Sequence, residues 1–117
     1  MSIAMNASLS ALTAFLRKQD VTANNIANVN THDFKKDKAV LEESPAEGGV
    51  KVTLSRVETP APPLPADEIL GDGHLMSNVT LVEEFVDLIT TQHGFAANVK
   101  AIQAGDEMQG ALLDIIA

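Results

Sequence analysis

The 117-residue chain has no cysteine, tryptophan or tyrosine, and only four phenylalanines. Without cysteine there is no disulfide, no thiolate nucleophile and no cysteine-based metal site. With so few aromatic rings, base stacking has almost no platform. Positive charge is scarce as well: 8 Lys and Arg stand against 16 Asp and Glu, a formal net charge of −8. A chain this acidic repels phosphate backbones and anionic lipid, so no nucleic acid is expected as a partner. No stretch approaches the roughly 18 consecutive apolar residues of a membrane-spanning helix. Residues Met1 to Leu16 lack both an early cationic region and a continuous apolar run, so no cleaved secretory signal is expected there. Phosphate-cradling glycine loops and a nucleophile elbow are also missing. His32, His74 and His93 lie in separate contexts, whereas a metal needs three or four convergent ligands. The reading is therefore of a single domain that is not an enzyme, with no cofactor, no metal and no small-molecule substrate.

What the chain does have is helical periodicity at both ends. Met5, Leu9, Leu12, Leu16, Gln19, Ala23 and Ile26 follow one another at alternating spacings of four and three, the seam of a heptad repeat. Ala4, Ala7, Ala11 and Ala14 favour helix by propensity. The pattern fades in Ala27-Asn28-Val29-Asn30-Thr31, where Asn and Thr favour a cap and a turn. Thr80, with Glu83 three residues later, has the form of a capping box that opens a second helix. Leu81, Phe85, Leu88, Gln92, Phe95, Val99, Ile102, Asp106, Gln109, Leu113 and Ile116 then keep the four-three spacing, with Val82, Val86, Ile89, Ala96 and Ile115 widening the stripe. Gly94, Gly105 and Gly110 lie within that helix, where each costs up to about 1 kcal/mol relative to Ala. They mark either close approach of a neighbour or simple tolerance in a packed helix.

Between the helices the signal changes. Lys38–Glu42 is a short apolar run and Val50–Leu54 alternates with period two. Ser44–Gly49 lies between them and carries turn chemistry, so a β-hairpin is expected. Pro60, Pro62, Pro63 and Pro65 favour extended chain. Gly71-Asp72-Gly73 reads as a turn, and His74-Leu75-Met76 as a short strand. The expected fold is mainly α with a small β part. Long antiparallel N- and C-terminal helices, 3–30 and 80–116, form a coiled coil; residues 31–79 supply the central β-hairpin, the Pro-rich extended segment and the turn, folded at the far end. The C-terminal stripe is wider than a two-stranded seam needs, so apolar surface should remain exposed, which points to an oligomer or polymer.

Two stretches resemble a known family. Ala23-Asn24-Asn25-Ile26-Ala27-Asn28-Val29-Asn30-Thr31, followed by Phe34-Lys35, is similar to the N-terminal signature of flagellar rod and hook axial proteins. Ser77-Asn78-Val79-Thr80-Leu81-Val82-Glu83-Glu84-Phe85-Val86-Asp87-Leu88-Ile89, continuing through Gln92 to Gln103, resembles the C-terminal one. In size the chain is similar to the small proximal rod proteins. Asp33 stands where the family usually has Gly, and Asp tolerates the left-handed conformation better than most residues. Phe95 replaces a common Tyr.

The resemblance implies a structural component of the basal-body rod, crossing the periplasm. It implies export unfolded through the flagellar apparatus without a cleaved signal, and self-assembly through the terminal helices. The implied partners are other rod subunits, the chain itself and the export apparatus. Candidate assembly and packing residues are Leu9, Leu12, Leu16, Asn24, Asn25, Ile26, Asn28, Leu81, Phe85, Leu88, Phe95, Val99, Ile102 and Leu113. A soluble helical-hairpin adaptor, or a divergent paralogue binding one partner helix, is the alternative.

Overall fold

A computed structural model describes residues 3–45, 48–63 and 74–116. Two helices and a hairpin follow in the order α1 (Ile3–Ala27), β1 (Asp37–Glu43), β2 (Val50–Arg56) and α2 (Leu81–Ile116). The fold is mainly α with a small β part, as the periodicities predict. The molecule is an elongated rod, 76 × 26 × 14 Å.

The helices pack antiparallel. Asn25 near the end of α1 meets Glu84 near the start of α2. Phe15 in mid-α1 lies against Gly94, and Met5 faces Gly105. A Cβ added at Gly94 would sit 2.7 Å from the Phe15 ring, so this glycine is a true close approach. Gly105 has only Met5 at 4.0 Å, and Gly110 has nothing nearby. The two readings of the α2 glycines therefore divide: close approach at Gly94, tolerance at Gly110.

The hairpin does not sit at the far end of the helix pair but folds back along α1. Seven-residue β1 spans about 23 Å at 3.3 Å per residue, which matches the roughly 22 Å of helix between Ser10 and Asn25 at 1.5 Å per residue. Both ends are pinned by side chains of α1. The Asn25 amide accepts from Asp37 N (3.1 Å) and donates to Asp37 O (2.8 Å). Val50 N donates to Ser10 Oγ at 3.0 Å, and that hydroxyl donates to Ala7 O. Gly49, at φ +93°, presses against Ser10 so closely that any Cβ would collide with it. Strand register runs from Asp37 opposite Arg56 to Glu43 opposite Val50. Ion pairs mark it: Arg56 with Asp37 at 3.3 Å, and Lys51 with its cross-strand partner Glu42 at 3.6 Å.

The segment before α2 closes the end of the molecule. Asn78 Oδ1 accepts from Lys36 N at 2.7 Å, while its Nδ2 donates to Val57 O and Thr59 O. One amide thus ties three chain segments together. Asp33 adopts φ +60°, the left-handed conformation its position requires. It then gains a second use: its carboxylate accepts from Leu75 N at 2.8 Å and lies 2.7 Å from His74 Nδ1. Those two partners, His74 first, hold its carboxyl below the usual aspartate range. The expected strand at His74–Met76 is only an isolated bridge of Leu75 with Pro63, beside a bond from Met76 N to Pro62 O; proline cannot donate to a longer ladder. Pro65 and the expected turn at Gly71–Gly73 lie outside the described residues.

Candidate assembly surface

The buried interior is unusually thin. Among the described residues, the buried apolar side chains are Ala11, Ala14, Ala39, Ala61 and Val79, all small. Buried with them are Thr22, Asn25, Ser77, Glu84 and Thr91. The Thr91 hydroxyl has no hydrogen-bond partner among the described residues. The helix interface is therefore built from small and polar groups, with Phe15, Leu88, Phe95 and Ile102 half-buried beside them.

The heptad spacing is present, but its phase differs from the one the apolar residues suggest. Along α2 the most covered positions are Glu84, Leu88, Thr91, Phe95, Asn98, Ile102 and Gly105, again at spacings of four and three. Leu88, Phe95 and Ile102 belong to both sets. Leu81, Phe85 and Gln92 turn outward. On α1, Leu12 and Ile26 are half-buried, whereas Leu9, Leu16, Asn24 and Ala23 are exposed. Val99 and Asn28 are half-buried, and Leu113 is exposed.

Asn25 reaches other elements, through Asp37 and Glu84. Asn24 and Asn28 bond to each other at the end of α1, where Asn28 Nδ2 caps the Asn24 carbonyl at 2.9 Å and Thr31 donates to Asn28 Oδ1. Within the stretch Ala27–Thr31, where a cap was expected, Asn28 makes it. Glu83 likewise does not close a capping box. It pairs with Lys36 Nζ at 2.9 Å, and this bond holds its carboxyl below the usual glutamate range. Its neighbour Glu84 goes the other way. Burial pushes its carboxyl up, Asp87 and Glu83 add to the rise, and the bond from Asn25 and the charge of Lys36 oppose it.

Large apolar side chains lie outside. On the N-terminal half of α2, Val82, Phe85, Val86 and Ile89 recur at spacings of three and one, and form one outward strip; Phe85 is 50% exposed. Leu16, 52% exposed, lines a shallow groove of about 190 Å³ with Gln19, Gln92 and Phe95. Past Gly105, α2 runs on with every residue from 106 to 116 exposed. Contiguous bare apolar surface of this kind makes these faces candidate contact sites. Asn78 was the packing residue that spacing alone missed; its sequence signal is its place in the Ser77-Asn78-Val79-Thr80 stretch of the C-terminal signature. Among the described residues no three His, Asp or Glu side chains gather as a metal site, and no helix is long and apolar enough to cross a membrane.

Comparison with known proteins bears on both ends of the rod. Residues 5–35, which are α1 and the turn after it, match the family described as flagella basal body rod protein. Residues 72–115, which include nearly all of α2, match flagellar basal body rod FlgEFG protein C-terminal. The hairpin lies between the two matches. The flagellar hook protein FlgE of Treponema pallidum (strain Nichols) is 42% identical over 53 residues, covering 40% of this chain and 11% of that protein. The chain thus spans about a tenth of the length of this curated relative. Two rod-family matches, in order at the two ends and together over more than half of the residues, place the chain in the flagellar rod and hook axial family.

Proposed function

We propose that the chain is an axial building block of the bacterial flagellar basal-body rod, assembling side by side through the outer faces of its terminal helices in coiled-coil fashion. The family matches support a structural basal-body component. The observation that carries the finer reading is the bare strip of Val82, Phe85, Val86 and Ile89 on α2. Among the described residues the buried apolar side chains are four alanines and one valine, which leaves the large ones where neighbours can cover them. Export through the flagellar apparatus, self-association and contact with other rod subunits belong to the same reading, as does a mechanical role in motility.

Phe85→Glu tests the strip. Phe85 is half exposed, so the variant should keep the helicity and thermal transition of the isolated subunit. In an assembled wall the same side chain would place an unpaired charge among apolar groups, at a cost of several kcal/mol. The expected outcome is a folded subunit, by circular dichroism, that fails to enter rods and abolishes swimming. Unchanged motility would contradict the proposal. A soluble chain with intact rods would favour the helical-hairpin adaptor.

A further inference from the structure

The last three turns of α2 are left over from the fold. Met5 faces Gly105, and α1 begins at Ile3, so almost nothing of α1 lies beside residues 106–116. Plotted at 100° per residue, this segment is sharply two-sided. Met108, Leu112, Leu113, Ile115 and Ile116 share one arc with Gln109, and Ile115 is 80% exposed. Asp106, Glu107 and Asp114 share the other with Gly110 and Ala111, and no basic residue is present. A helical tail about 16 Å long is marginal by itself. It cannot fold back onto its own molecule without breaking α2.

A groove of matching character lies between α1 and β2, about 460 Å³ in volume. Its floor is apolar and small, with Ala14, Val50 and Val52, and Thr13 stands at the side. Its charged lining is basic, Arg17 and Lys51. Lys51 shares Glu42 across the hairpin, and Arg17 has no ion pair among the described residues. A second groove, beside Asn25, is lined by Asp37, Glu83, Glu84 and Asp87 against two lysines and would repel an acidic helix.

We infer that the α1–β2 groove receives the acidic, apolar tail 106–116 of α2 from a second copy of this chain. The inference rests on the assembly reading above and adds a specific seat to it. The apolar arc covers Val50 and Val52 beside the buried Ala14, and Asp106, which borders that arc next to Leu113, comes beside Arg17. Tail and groove are different surfaces, so the contact is heterologous, and repeating it gives an open array rather than a closed dimer.

A chain without cysteine makes the test clean. Thr13→Cys and Leu112→Cys, both at exposed positions, are prepared separately and mixed at assembling concentrations. Disulfide formation between the two is expected, well above a control mixture that pairs Leu112→Cys with Thr31→Cys, exposed beyond the end of α1. Arg17→Asp and Asp106→Arg should each weaken self-association about tenfold by sedimentation, and the double exchange should recover most of it. No crosslink above the control, or no recovery in the double variant, overturns the inference. So does a tail that crosslinks to Phe85→Cys instead, or one that crosslinks only to a different rod subunit. Recovery of the chain from purified basal bodies judges the rod reading separately: a chain found there without the crosslink loses the seat and keeps the function.

Discussion

Asn25, like Asn78, joins three segments of the chain through one side-chain amide. It is 2% exposed and bonds at once to both backbone groups of Asp37 and to Glu84. Asn25→Ala would strand the Asp37 amide and carbonyl and the Glu84 carboxylate, each at about 1–3 kcal/mol when buried. We expect a loss of at least about 2 kcal/mol by urea denaturation, with the hairpin amides losing hydrogen-exchange protection first. Glu84 gives a pH signature. Its carboxyl is raised above the ordinary value of 4.5 by burial. The folded state therefore binds this proton more tightly than the unfolded chain. The associated stability is fully present below about pH 4.5 and is lost as pH rises through the folded value. Glu84→Gln keeps an acceptor for Asn25 and removes the charge. It should raise the melting temperature at pH 7 and flatten its fall between acid and neutral pH. Asp33 and Glu83 are lowered, so their contributions run the other way, fading as pH drops below the usual carboxylate range. A variant no more stable than the parent at pH 7 would contradict this account of Glu84.

At the scale of the elements, α2 shows why helices were legible in the sequence and their contact face was not. Four-three spacing located both helices to within a few residues at each end. It could not choose the face, because α2 is apolar on both sides: Leu88, Phe95 and Ile102 turn towards α1, while Val82, Phe85, Val86 and Ile89 turn away. The positions that decide the face are Thr22, Asn25, Glu84, Thr91 and Gly94, small or polar residues that a search for hydrophobic stripes passes over. The hairpin was legible from alternation, but its placement along α1 depends on Ser10 and Asn25, whose bonds reach 40 and 12 residues ahead. The α2 glycines give a paired prediction. Gly110→Ala, in open space, should stabilise the subunit by up to about 1 kcal/mol through helix propensity. Gly94→Ala gains the same propensity but drives a methyl into the Phe15 ring. Overpacking of this kind costs about 1–3 kcal/mol, so a net loss is expected in thermal melts. Equal effects at the two sites would mean that Phe15 and Gly94 are not in contact.

The whole molecule is a narrow rod with a thin interior and a greasy outside. Its two ends, rather than its middle, carry the family likeness. The interior of small side chains lets two helices and a hairpin lie close together within 26 × 14 Å of cross-section. It also leaves the subunit short of buried apolar area, so its stability should come largely from assembly. The measurement that tests this most directly is quantitative mass spectrometry of hook–basal bodies purified from the source organism. The account predicts peptides of this chain at a stoichiometry comparable to other rod proteins. Rods that are complete without it, with the chain confined to the soluble fraction, would contradict it.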